Sequence, residues 1–129
     1  MQTAYTIDAA RRLNNIVIVG RLNLHGLFDL LTRLQADEAF EPSYDTIVDY
    51  SGVTEIEIQP EDLLAIVAGL QKQDLRLGRC AIITGEQPAV KAYSEVYVDT
   101  IRGKLEMEHC VCRNLIEAEI WLGLRSLRG

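Results

Sequence analysis

Leu13-Asn14-Asn15-Ile16-Val17-Ile18-Val19-Gly20-Arg21 is the stretch that decides the fold. Its centre, Ile16-Val17-Ile18-Val19, is β-branched at every position, and such stiff side chains favour an extended backbone. A near-continuous apolar run, without polar alternation, reads as a strand covered on both faces. Working backwards, Ala4 to Asp8 reads as a short strand and Asp8-Ala9-Ala10-Arg11 as the turn of a hairpin. Working forwards, Asn23 stands where a helix cap belongs. In that helix Leu24, Leu27, Leu31 and Leu34, flanked by Phe28 and Leu30, form one apolar stripe. Glu41-Pro42-Ser43 breaks the chain.

From there the pattern alternates. Thr46 to Tyr50 reads as a third strand ended by Ser51-Gly52, and a loop with Val53, Ile56 and Ile58 leads to Pro60. Proline suits the first residue of a helix, and Glu61 and Asp62 occupy the first turn, where the helix dipole favours carboxylates. That helix is read over Pro60–Gln73, with Leu77-Gly78 closing the connection. Arg79 to Thr84 is the fourth strand, Gly85 a turn, and Pro88 a second helix start, with Val90, Tyr93, Tyr97 and Ile101 as its stripe. Gly103 ends it, and Leu105 to Cys112 is the fifth strand. The last helix opens with Asn114-Leu115-Ile116-Glu117, close to a capping box, and buries Ala118, Trp121 and Leu122. The expected architecture is α/β, a mixed sheet of about five strands with four helices packed on it. One domain over residues 1–129 is expected at this length.

Composition excludes more than it names. With 48% hydrophobic and 25% charged residues the chain has the proportions of an ordinary globular protein. Its formal charge of −6 argues against a nucleic-acid partner. The charge is concentrated: Leu34 to Gln71 contains no Lys, Arg or His, and nine acids. No basic segment followed by an apolar one opens the chain, so no signal peptide is read. The longest apolar run, Leu63 to Leu70, is far short of the roughly 20 residues that span a bilayer. Three cysteines, an odd number without a framework pattern, suit a reducing compartment, and a cytoplasmic location is the expectation.

Few constellations carry chemistry. The strand ends Tyr50-Ser51-Gly52 and Thr84-Gly85-Glu86 precede helix starts, yet Glu57, Glu61, Asp62 and Glu86 crowd those starts and disfavour a phosphate. Asp49, inside an apolar strand, reads either as a carboxylate at the edge of a site or as a cap on the amides of the Ser51–Thr54 turn. His109-Cys110-Val111-Cys112 looks like half a metal site, but alternation sends His109 to the face opposite the cysteines, and no metal or cofactor is expected. No nucleophile, base and orienting group stand out together, so the reading is not an enzyme. The helix from Pro60 is the more telling feature. Leu63-Leu64-Ala65-Ile66-Val67-Ala68-Gly69-Leu70 is apolar on every face, which calls for burial by neighbours, a second copy, a bound apolar ligand or a membrane surface.

The order of elements and Ile47-Val48-Asp49-Tyr50-Ser51-Gly52-Val53-Thr54-Glu55-Ile56-Glu57 resemble the strand-and-loop signature of STAS domains, the bacterial anti-sigma-factor antagonists. The Tyr5-Thr6-Ile7-Asp8 opening, the Glu41-Pro42 break and the Glu117-Ala118 and Trp121-Leu122 ending are similar to SpoIIAA-like (STAS/Sec14-like) bacterial proteins. The resemblance implies a SpoIIAA-like sandwich over essentially the whole chain. Where STAS antagonists carry the phosphorylated serine this chain has Glu57-Ile58-Gln59-Pro60, so the phosphorylation switch does not carry over. The Sec14-like side implies an apolar pocket or a membrane-facing surface for a lipid-like ligand. The leading expectation is a non-enzymatic domain that binds an apolar small molecule or lipid, or lies peripherally at a membrane. Its ligand or interface residues would be Leu63, Leu64, Ile66, Val67 and Leu70, with Asp49, Ser51, Glu57 and Gln59 in the adjoining loop. The alternative is a protein-interaction module, such as a homodimer, that uses the same helix.

Overall fold

The computed structural model describes residues 1–71, 78–104 and 107–125. Among these, the chain runs β1 (Gln2–Asp8), β2 (Leu13–Leu22), α1 (Leu24–Ala36), β3 (Asp45–Ile56), α2 (Pro60–Gln71), β4 (Cys80–Ile83), α3 (Pro88–Ile101), β5 (His109–Cys112) and α4 (Leu115–Trp121). The five strands form one sheet in sequential order. β1 and β2 are an antiparallel hairpin, and β2 through β5 are parallel. The mixed α/β sheet with four helices therefore stands as the sequence predicts.

The strand order fixes where the helices go. Each parallel connection steps one strand in the same direction, and crossovers of one hand put their helices on one face. Leu27, Leu30 and Leu34 of α1, Leu63 and Ile66 of α2, and Val90 and Val98 of α3 accordingly share a core with Ile16, Ile18, Tyr50 and Ile82. Among the described helices only α4 covers the opposite face, where Ala118 and Leu122 meet Leu13, Ile47, Ala81, Ile83 and Cys112. Asn114 caps α4 by accepting the Glu117 amide proton at 2.9 Å. The Glu117 carboxylate reaches back to the Arg113 amide at 2.8 Å, one residue earlier than in a capping box. This contact holds the Glu117 carboxyl below its ordinary pKa.

Two expectations are corrected here. The central run of β2 is covered on one face only: α4 stops short of it, leaving Val17 42% and Val19 41% exposed. β3 does not end at Ser51-Gly52 but continues to Ile56 through two register shifts against β2, between Val17 and Val19 and between Gly20 and Arg21. Each shift inserts one extra residue into β3, as a β-bulge does. Gly20 meets the second with a φ of +91°, a region favourable to glycine. The sequence signal of a turn at Ser51-Gly52 was thus the signature of a bulge. At the other boundaries, β5 begins at His109 among the described residues, and the expected strand start at Leu105, the expected end of α2 at Gln73 and the Leu77 closure lie outside them.

Candidate functional site

Side chains two apart on a strand share a face, and partners in a parallel register point the same way. Asn14 pairs with Thr46, Thr46 with Cys80, and Cys80 with His109. These four residues therefore form a row across β2, β3, β4 and β5, on the face covered by α1, α2 and α3. The next row along, Ile16, Val48, Ile82 and Val111, is wholly apolar. One stripe of hydrogen-bonding and thiol groups is laid into an otherwise hydrocarbon floor.

A cavity of about 130 Å³ lies above that stripe. Asn14, Thr46, Cys80 and His109 all line it, together with Ile16, Ile18, Val48, Tyr50 and Ile82 of the sheet. α1 supplies the roof through Leu27, Leu30, Leu31 and Leu34, while Ile66 of α2 and Tyr97 of α3 close it at the sides. Half-buried Phe40 and Pro42 and exposed Gln35 form its outer end. Gly78 belongs to the wall because the chain passes tightly there: its amide donates to the Pro42 carbonyl at 3.1 Å. A Cβ at position 78 would run into the Tyr44 carbonyl.

Among the described residues no Lys, Arg, Asp or Glu lines the cavity. Burial disfavours the charged forms of its thiol, of two of its phenols and of its imidazole. Burial pushes the Cys80 thiol up to about 12. It also raises the Tyr50 and Tyr97 hydroxyls well above the ordinary phenol value. Burial lowers the His109 imidazole, against an opposing hydrogen bond from its Nδ1 to the Met107 carbonyl at 3.3 Å. The His109 ring stands edge-on to Tyr97 at 5.7 Å between centroids.

Asn14 is the exception to good accounting. It is 1% exposed, its Nδ2 reaches Thr46 Oγ1 only at 3.4 Å, and its Oδ1 has no partner among the described residues. Buried polar groups are normally paired, and an orphan of this kind calls for an explanation. Ser94 Oγ is also buried and, among the described residues, unpartnered, but Ser94 is not part of the described lining.

The residues singled out in the sequence are dispersed. Leu63, Ile66 and Val67 are each 2% exposed and belong to the core, and of these only Ile66 touches the cavity. Leu64 is 52% exposed, and the side chain of Leu70 lies outside the described residues. Asp49 points to the α4 side of the sheet, since its register neighbours are Val17 and Ile83. Its Oδ1 accepts from the Ser51 amide at 2.9 Å and from the Ser51 hydroxyl at 2.6 Å, a local turn at the bulge. Glu57 pairs with Arg21 at 3.7 Å. The Gln59 amide donates to Asp62 at 2.9 Å, capping α2. None of these four loop residues lines the cavity.

His109 faces the cavity, whereas Cys110 and Cys112 lie on the α4 face with their sulfurs 3.7 Å apart. Among the described residues no group of three or more His, Cys, Asp or Glu is arranged to hold a metal. The same set contains no helix long and apolar enough to cross a membrane.

Neither protein-family models nor curated protein sequences match the chain. In structure it is similar to an uncharacterised protein of the DUF3478 family with a SpoIIAA-like fold from Shewanella loihica PV-4. The two superimpose with a TM-score of 0.58 and 17% identity over 93% of each chain. The fold of the present chain is SpoIIAA-like, as the sequence resemblance implies.

Proposed function

We propose that this protein is a non-enzymatic binding domain that takes a small apolar molecule into the cavity beneath α1. The observation that carries the reading is a cavity of about 130 Å³, roofed by leucines and lined, among the described residues, by no Lys, Arg, Asp or Glu. A dry interior cavity of roughly 150 Å³ accommodates benzene, so the space suits one aromatic ring or a short branched chain. A whole lipid exceeds it, which moves the expectation away from lipids and toward compact ligands. The reading moves the contacts too, from the surface of α2 to the α1 side of the sheet. Chemistry on a bound molecule finds little support in the side chains. A thiol held up to about 12 by burial is the opposite of an activated nucleophile, and no base contacts it among the described residues.

The test is thermal unfolding in the presence of toluene, with native mass spectrometry of the freshly purified protein to detect carried ligand. A ligand at a hundred times its Kd stabilises the folded state by about 2.7 kcal/mol, a clear upward shift in Tm. Leu30→Phe, which places a ring in the same space, should abolish that response. No shift with toluene and no carried mass would sink the proposal. A second reading, self-association through α2, draws on Leu64, which is 52% exposed beside exposed Ala65 and Ala68. Light scattering decides it: Leu64→Asp should lower the mass of an associated form, and a monomeric parent protein excludes it.

A further inference from the structure

The cavity is not uniform, and its polarity is one-sided. The roof from α1 offers leucine side chains, while the floor offers the row of Asn14, Thr46, Cys80 and His109. A purely hydrocarbon ligand would fill the roof side and leave the floor unmatched. Asn14 Oδ1 would then stay buried without a partner, at the expense of a full desolvation penalty. The weak 3.4 Å approach to Thr46 uses only one of the hydrogen bonds that a carboxamide can make. Neither Tyr50 nor Tyr97 shows a hydrogen bond from its hydroxyl among the described residues, although both line the same space. A ligand edge laid along this floor therefore meets several uncommitted hydrogen-bonding groups, and Asn14 is the one already buried.

We infer that the cavity selects a neutral ligand with one hydroxyl or amide hydrogen on an otherwise apolar body, and that Asn14 Oδ1 accepts that hydrogen. The inference rests on the cavity being a binding site and adds the chemical class of what it binds. Charge is disfavoured on the same grounds: among the described residues the wall offers an anion no Lys or Arg and a cation no carboxylate. Burying an unpaired ion there is prohibitive, whereas a phenol-like hydroxyl is satisfied by one acceptor. Asn14 acts as a specificity residue, because the rejected ligands are those that leave its oxygen unmatched.

The experiment measures the affinities of phenol, toluene and benzoate for the parent protein and for Asn14→Leu, by calorimetry or by ligand-observed NMR. Phenol should bind the parent, and Asn14→Leu should weaken phenol by about 5- to 100-fold, the factor for leaving one buried hydrogen-bonding group unpaired. Toluene should bind the variant as tightly as the parent or more tightly, and benzoate should bind neither. Asn14→Ala serves as a second variant and should weaken phenol likewise. Toluene bound with phenol unaffected by both substitutions would overturn the role of Asn14 while leaving the binding site intact. Benzoate bound as tightly as phenol would overturn the neutral class. Failure of both phenol and toluene to bind the parent would overturn the binding-site reading and this inference with it.

Discussion

Replacing Asn14 by leucine should make the protein more stable, the reverse of what most core substitutions do. The two side chains have nearly the same shape, so the change removes polarity without opening a void. Asn14 Oδ1, at a residue only 1% exposed, has no partner among the described residues, and releasing such a group from burial is worth about 1–3 kcal/mol. Against this stands the bond from Nδ2 to Thr46 Oγ1. At 3.4 Å it is near the outer limit for an N–H···O bond, and its loss costs about 0.5–1 kcal/mol. The leucine methyls would also gain contact with Ile16 and the α1 leucines that line the same cavity. The net expectation is a gain of about 1–2 kcal/mol, or roughly 3–8 °C in Tm for a chain of this length. Urea unfolding followed by the fluorescence of Trp121, the single tryptophan, measures it, provided the slope with denaturant is unchanged. A loss of about 1 kcal/mol or more would refute the reasoning, because it would mean that Asn14 is fully satisfied in the folded protein. A double-mutant cycle with Thr46→Val checks the remaining assumption: coupling above about 1 kcal/mol would show the 3.4 Å contact to be a strong bond.

The remaining expectations concern the walls of the cavity and the clamp on α4. His109 titrates near 6.5 when unfolded and lower when folded, so the folded protein binds fewer protons below neutrality. Its contribution to stability is therefore complete above about pH 6.5 and drains as the pH falls through the folded value. His109→Asn should flatten the slope of unfolding free energy between pH 7 and 5.5, and an unchanged slope would contradict this. Cys80, raised to about 12 by burial, should resist alkylation at pH 8 until the protein unfolds, while half-buried Cys110 labels first; mass spectrometry of digested protein reads the order. Arg79 joins Asp45 at 2.9 Å, the Leu122 carbonyl at 3.2 Å and the face of Trp121 at 5.7 Å. Arg79→Ala should cost about 1–2 kcal/mol in urea unfolding, a figure discounted because the arginine is 41% exposed. Gly78→Ala forces a Cβ onto the Tyr44 carbonyl and lies 2.8 Å from that of Ser43, so a loss above about 2 kcal/mol is expected in the same assay. An alanine variant as stable as the parent would show that this crossing is looser than described.

The fold was legible because local signals and the global arrangement agree. The β-branched run Ile16–Val19, the proline starts at Pro60 and Pro88 and the asparagine caps at Asn23 and Asn114 each stand in the element that the sequence predicts. What failed was anything that depends on how far a neighbour extends. Val17 and Val19 look buried by composition, yet a helix of seven residues cannot cover the whole second face. Ser51-Gly52 looks terminal because a bulge uses the same small and hydroxylated residues as a turn.

The site was illegible for a deeper reason. Asn14, Thr46, Cys80 and His109 are each about thirty residues from the next, and nothing within any one segment marks them as a set. Only the parallel register brings them into line, and a shift of one residue in any strand would turn its member to the α4 face. The apolar helix α2 drew attention because hydrophobicity is visible along a chain. Its buried residues Leu63 and Ile66 are nevertheless accounted for by ordinary packing in the core with the sheet and its neighbours, and Val67 is likewise only 2% exposed. The informative signal was the converse one, a polar residue on the covered face of a strand whose next inward residues, Ile16 and Ile18, are hydrocarbon. Asn14 and Asn15 look alike in the sequence, and only the register shows which of the two faces the cavity. A binding role for the row has a consistent physical form: four groups without a permanent charge, gathered by the register, can present hydrogen-bonding edges to a ligand without the fixed charge that burial would penalise. The register that builds the sheet is then also what composes the site, so changes that slip a strand should lose selectivity and fold together, whereas Asn14→Leu should separate them.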